Sequence, residues 1–145
     1  MALTERPVCV VGIWHLGAVT SICLAELGYH VVGVARDADD AEALNSGHPP
    51  LYEPGLDELL AKNLAARRLR YTADLREALA GAPYVLLTYD TPVDENDHAD
   101  VEFVIERVAA VFPHLRDNAL VLVSSQLPVG STRRLPPPGG RPQYS

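Results

Sequence analysis

Gly12 and Gly17 bracket the tetrapeptide Ile13-Trp14-His15-Leu16, directly after the apolar run Val8-Cys9-Val10-Val11. Glycines so placed, between a strand and a helix, suit phosphate binding. In the pattern G-x-G-x-x-G/A the first glycine makes the tight turn and the second lets the backbone approach a diphosphate. The third lets helix and strand pack closely. The unpaired N–H groups at the start of the helix, with its dipole, then attract the anion. Gly12 and Gly17 fill the first and third places, and Trp14 fills the middle one. The indole there either packs over the turn, swings aside to stack on a ligand, or blocks the cradle.

A second chemical position lies at the end of the next apolar run, Val31-Val32-Gly33-Val34. An Asp or Glu about 20 residues after the glycines ordinarily accepts hydrogen bonds from an adenosine ribose. That place is Ala35, followed by Arg36, which suits a 2′-phosphate, and by the acidic residues Asp37, Asp39 and Asp40, which disfavour one. Asp37 is a candidate substitute ribose acceptor, and the acidic surroundings favour NAD over NADP.

Other chemistries find little support. Residues 90–100 are acidic, but counted from Asp94 they lack the glycine and the glutamate that a calcium loop needs at its sixth and twelfth places. The expected role of Asp100 is a helix cap. Walker-type lysine, zinc-ligand and nucleophile-elbow patterns are lacking, and His15, His48, His98 and His114 are scattered. Cys9 in a strand and Cys23 in a helix both read as small buried hydrophobes.

These residues need a scaffold, and the chain supplies alternating apolar runs and amphipathic segments. Strands are expected over residues 8–11, 30–34, 69–71, 84–88 and 120–123. Helices are expected over 15–27, 37–45, 55–67, 74–80 and 101–115, the first ending at Gly28 and the fourth capped by Asp74. Such alternation specifies a doubly wound, parallel α/β sheet with helices on both faces, a single three-layer αβα domain. It would cover residues 1–134, with a Pro/Gly-rich disordered tail at 135–145.

The 145 residues carry a net charge of −7, 48% hydrophobic residues and a mean hydropathy of +0.03. The acidic balance argues against nucleic-acid and anionic-membrane partners. The cluster Arg67-Arg68-Leu69-Arg70 reads as a solvated helix end. Without a signal peptide or membrane span, a cytoplasmic location is expected.

Five ordered segments resemble the N-terminal domain of the UDP-glucose/GDP-mannose dehydrogenase family. They are the glycine turn, Tyr52-Glu53-Pro54-Gly55-Leu56, Leu69-Arg70-Tyr71-Thr72-Ala73-Asp74, Thr91-Pro92 after the fourth strand, and Ser124-Ser125-Gln126-Leu127-Pro128-Val129-Gly130-Ser131-Thr132. The resemblance implies a Rossmann domain that binds NAD, within enzymes that oxidise the C6 alcohol of a nucleotide sugar to a carboxylate by two hydride transfers. Gly12, His15, Leu16 and Gly17 would line the pyrophosphate turn, with Trp14 and Ala35 departing from the family's pattern. Thr91 and Pro92 would approach the cofactor, and Ser125 and Gln126 would sit near the nicotinamide. Gln126 replaces the family's threonine and Asp90 its glycine; Gln126 is thus a candidate contact for water or substrate. The family's nucleophilic cysteine and lysine, and its sugar-nucleotide domain, match no part of this chain. The expectation is a truncated cofactor-binding domain, inactive alone, whose nucleotide sugar binds only with further domains; the sequence does not set its oligomeric state. The rival expectation, motivated by Trp14 and Ala35, is a non-catalytic Rossmann-like interaction domain that has lost its dinucleotide.

Overall fold

A computed structural model describes residues 5–135. The chain runs β1 (Val8–Val11), α1 (His15–Glu26), β2 (Val31–Val34), α2 (Ala38–Asn45), α3 (Leu56–Ala65), β3 (Leu69–Thr72), α4 (Leu75–Ala80), β4 (Tyr84–Leu87), α5 (Val101–Val111) and β5 (Leu120–Val123). All strand pairs are parallel, in the order β3-β2-β1-β4-β5. This is the Rossmann-like α/β sheet that the sequence pattern predicts.

β1 explains why its sequence is apolar throughout. Val8 and Val10 enter one core with Ile22 of α1 and Leu60 of α3, while Cys9 and Val11 enter a second core with Leu79 of α4 and Val104 and Val108 of α5. Alternate side chains of a strand point to opposite faces, so a central strand covered on both sides has no place for a polar residue. The two cores are the interfaces of the three layers. At the edge, Val121 and Val123 of β5 pack into the second core, whereas Leu120 and Leu122 on its other face are about half exposed.

Helix starts follow the expected caps at Asp74 and Asp100, and Asp37, expected inside its helix, is a cap as well. Asp37, Asp74 and Asp100 each accept a hydrogen bond from the amide three residues on, at 2.9, 3.0 and 3.0 Å, each cap worth about 1 kcal/mol. Gly28 takes a left-handed conformation just past α1. Helix α5 stops at Val111 instead of continuing to Leu115, and a 3-10 turn, Phe112–His114, follows. Pro113 explains the difference, because it lacks the amide that would continue the α-helical hydrogen-bond ladder. The other boundaries differ from expectation by one or two residues, as fraying ends do. Of the expected tail, Leu135 packs against the second core, and residues 136–145 lie outside the described residues.

Two expectations need correction. Cys23 is exposed, not buried. The buried stripe of α1 is Gly17, Ala18, Ser21, Ile22 and Ala25, and Cys23 falls on the opposite side of the helical wheel. Arg68 is not part of a solvated cluster: its guanidinium donates to Asn63 Oδ1 and to the Ala25 carbonyl. Cys9 is buried and apolar surroundings push its thiol pKa up to about 12. In the native protein, a thiol reagent is therefore expected to titrate one group, Cys23, with the second reacting only after denaturant is added. Mass mapping of the labelled peptide checks this, and native labelling of Cys9 would contradict the packing of β1.

Candidate functional site

Between β1 and β4 the winding reverses. The helix after β1 lies on one face and the helix after β4 on the other, which leaves a crevice at the carboxyl ends of these two strands. Gly12 leaves β1 with φ +92, and a Cβ there would stand 2.9 Å from Tyr89 Cδ1 and 3.0 Å from the Tyr89 amide. The turn and the end of β4 therefore meet backbone to backbone. The buried Thr88 hydroxyl fixes this meeting, its oxygen 3.0 Å from both the Val11 and the Gly12 carbonyl oxygens.

From this turn α1 starts without a side-chain cap and with no acidic residue in its first turn. Trp14 donates its amide to the Gly12 carbonyl at 3.1 Å, and Ala18 begins the helical ladder by donating to Trp14. Among the described residues, no acceptor takes the amides of His15, Leu16 or Gly17. A helix start has orphan donors by construction, and here three of them stay unpaired among the described residues. This cradle fits a diphosphate.

Two cavities flank the crevice. The first, of about 410 Å³, is bordered by Gly12, Ile13 and Trp14 of the turn, by Val34, Ala35 and Arg36 after β2, and by Asp40 of α2. Ala73 and Leu75 near β3, Tyr89 and Asp90 after β4, and Phe103 and Arg107 of α5 complete it. The second, of about 350 Å³, lies between Leu16, residues 89–91 and residues 124–126. Tyr89 and Asp90 border both, so the two hollows lie on either side of the end of β4. Trp14 is 48% exposed; its indole makes part of the wall of the first cavity and leaves the space beside it open.

Of the residues picked out by sequence, Gly12, Trp14 and Arg36 border the first cavity, and Leu16, Thr91, Ser125 and Gln126 the second. His15, Gly17 and Pro92 border neither. His15 sets its ring nitrogen 3.1 Å from Glu53, which ties the turn to the Tyr52–Gly55 segment. Gly17 is a packing position, where a Cβ would meet the Gly12 carbonyl oxygen at 2.4 Å. The Pro92 carbonyl accepts the Asp100 amide at 2.7 Å. The loops after β4 and β5 are laced together, since Thr91 Oγ1 donates to the Gln126 carbonyl and Ser125 Oγ to the Tyr89 carbonyl. Both hydroxyls are thus engaged in holding the shape of the second hollow.

Sequence reasoning missed Tyr89, Phe103 and Arg107. Arg107 lies 5.0 Å over the Phe103 ring, an i, i+4 pair that a helix brings onto one face. Burial pushes the Tyr89 phenol upward in pKa, with Arg107 acting in the opposite direction, so this hydroxyl is neutral. In the acidic loop, Asp94 accepts the amides of Asn96 and His98, which hold its carboxyl below the usual range. Its charge serves the turn itself.

An all-parallel sheet in this order, a glycine turn into an uncapped helix, and a crevice where the winding reverses define a dinucleotide-binding domain of the Rossmann type. The profile of the UDP-glucose/GDP-mannose dehydrogenase family, NAD binding domain, matches residues 6–137. The chain belongs to this family. It is 39% identical over 127 residues to a UDP-glucose 6-dehydrogenase of Pseudomonas aeruginosa, covering 88% of this chain and 28% of that protein. With a UDP-glucose 6-dehydrogenase of Rhizobium meliloti the identity is 35% over 125 residues, covering 86% and 29%. The structure of a UDP-glucose dehydrogenase from Pyrobaculum islandicum superposes with a TM-score of 0.82 at 30% identity, covering 94% of this chain and 33% of that one. The chain therefore spans about a third or less of the length of these relatives, and the part it spans is their NAD-binding domain.

Proposed function

We propose that this domain binds NAD across the crevice and serves the oxidation of a nucleotide sugar at its C6 alcohol, in the cytoplasm. The observation that carries the reading is the unpaired first turn of α1 beside two hollows that share Tyr89 and Asp90. The amides of His15, Leu16 and Gly17 take the diphosphate, and Gly12 keeps the turn close enough for them to do so. The first cavity takes the adenosine half, with Trp14 along one wall. The second takes the nicotinamide half, with Leu16, Thr91, Ser125 and Gln126 around it and Pro92 behind the loop. When bound, NAD supplies the hydride acceptor of the oxidation. The Gln126 side-chain amide can both donate and accept, which suits it to hold a water or a substrate hydroxyl near that end.

The chain by itself is not expected to turn over a nucleotide sugar. Covalent capture of an aldehyde needs an activated thiol at the reacting carbon. Neither Cys9, buried between β-strands with a raised pKa, nor Cys23 borders either cavity.

Trp14, the single tryptophan of the chain, is a built-in probe of this reading. Titration with NAD is expected to give saturable heat with a dissociation constant of about 1 mM or tighter, accompanied by a change in Trp14 emission. Absence of both for NAD and NADP would sink the cofactor reading and favour an interaction domain that has given up its dinucleotide.

A further inference from the structure

The usual ribose acceptor is missing at the end of β2, where Ala35 is buried. We propose that Asp40, one turn into α2, takes over that role and sets a preference for NAD over NADP; this rests on the dinucleotide reading above. Asp37, the nearer acid in sequence, is engaged at both oxygens. One of its carboxylate oxygens accepts the Asp40 amide at 2.9 Å and the other accepts Arg36 Nε at 3.2 Å. These bonds hold its carboxyl below the usual pKa, and it does not border the cavity. Asp40 does border it. Side chains in a helix lean back toward its N-terminus, so an acid in the first turn of α2 covers the ground above the end of β2. The carboxylate that an acidic residue 35 would have provided arrives there from the helix instead.

The bonding at Asp40 suits a vicinal diol. Its Oδ2 stands 3.0 Å from Arg36 Nη2 in an ion pair, while Oδ1 takes no hydrogen bond from any described residue. One oxygen is oriented and the other is open, which is what two adjacent ribose hydroxyls need from a carboxylate. Arg36 would otherwise be a 2′-phosphate site, but its fork is shared between two acids. The trio Arg36–Asp37–Asp40 carries a net charge of −1, and a 2′-phosphate would bring about two more negative charges onto it. Binding NADP would require Arg36 to leave both carboxylates and the phosphate to settle against Asp40. Arg36 thus orients the reader and is withheld from the wrong ligand by the same contacts.

The test is calorimetric titration of the chain with NAD and with NADP, in the unaltered protein and in three variants. Asp40→Asn keeps shape and leaves the Asp37 cap on the residue-40 amide intact. It is expected to lower the NAD/NADP affinity ratio by about tenfold or more, weakening NAD and strengthening NADP. Adding Arg36→Ala to Asp40→Asn is expected to cancel the gain for NADP, because the released guanidinium supplies it. Asp39→Asn removes the same charge from an exposed neighbour away from the cavity and should leave the ratio within about twofold, as expected for a screened surface charge. An unchanged ratio in Asp40→Asn, or an equal shift in Asp39→Asn, overturns the assignment while NAD binding itself stands. Failure of the unaltered chain to bind either dinucleotide overturns both.

Discussion

Gly17→Ala is expected to destabilise the domain by about 3 kcal/mol, lower its melting temperature by about 10 °C, and remove dinucleotide binding together with stability. The added Cβ would stand 2.4 Å from the Gly12 carbonyl oxygen, 2.7 Å from Thr88 Oγ1 and 3.1 Å from the Gly12 carbonyl carbon. None of these is the free end of a flexible side chain. The first is backbone of the glycine turn, and the second is the buried hydroxyl that reaches both Val11 and Gly12. Relief therefore requires α1 to lift from the sheet, and its open amides move with it. Gly81→Ala is the matched control: it has no atom within 4 Å of its would-be Cβ and a negative φ, so it should change stability by less than about 0.5 kcal/mol. Thermal melts followed by circular dichroism, with NAD titrations on both variants, check the pair. A Gly17→Ala protein that melted and bound like the unaltered chain would mean that α1 does not sit this close to the turn.

That close approach is legible in the spacing of Gly12 and Gly17, because a strand-to-helix turn at a sheet's centre leaves few residue choices. The sheet is legible for a related reason. The run Val8–Val11 has no polar interruption, which suits a central strand of a parallel sheet covered on both faces, whereas the equally apolar Leu120–Val123 is an edge strand with Leu120 and Leu122 half exposed. The segments at 91–92 and 124–126 are legible through their resemblance to the family's own segments, and Thr91, Ser125 and Gln126 border one cavity. What the sequence hides depends on packing at a distance. Asp40, Phe103 and Arg107 reach the first cavity from helix faces whose rotation is set by the two cores. Asp37 stands out through its proximity in sequence, yet both its oxygens are engaged and it does not border the cavity. Arg68 reads as one of three solvated cations because its acceptors, Ala25 and Asn63, lie in other elements.

Asn63 shows how much one such hidden contact carries. It sits in the second half of α3, fully buried, and uses its whole amide. Its Nδ2 donates to Glu26 Oε2 and to the Leu59 carbonyl, both at 2.9 Å, while its Oδ1 accepts Arg68 Nε and Nη2 at 3.1 and 3.0 Å. One side chain thereby joins the end of α1, the body of α3 and the entry to β3. Asn63→Ala is expected to cost about 3 kcal/mol, since it removes packing and strands the partners of a part-buried guanidinium. Asn63→Asp separates the polar terms from the packing. The new carboxylate still accepts from Arg68 but faces Glu26, so two like charges share the site and the pKa of one must rise on folding. In the unaltered protein Glu26 is held low, by Lys62 first and Asn63 second, so its stabilising contribution is present above the ordinary glutamate pKa of about 4.3 and is lost as pH falls through the lowered folded value. The variant has the opposite sign: with a raised folded pKa, its deficit is largest at neutral pH and shrinks as pH falls toward that value. Urea midpoints at pH 7 and pH 5 check this, with the gap between Asn63→Asp and the unaltered chain expected to narrow at the lower pH. Because this network lies at the far end of α1 from the open amides, NAD affinity should survive in both Asn63 variants wherever they remain folded. Loss of affinity in a folded Asn63 variant would show that α1 does not hold its cradle independently of its other end.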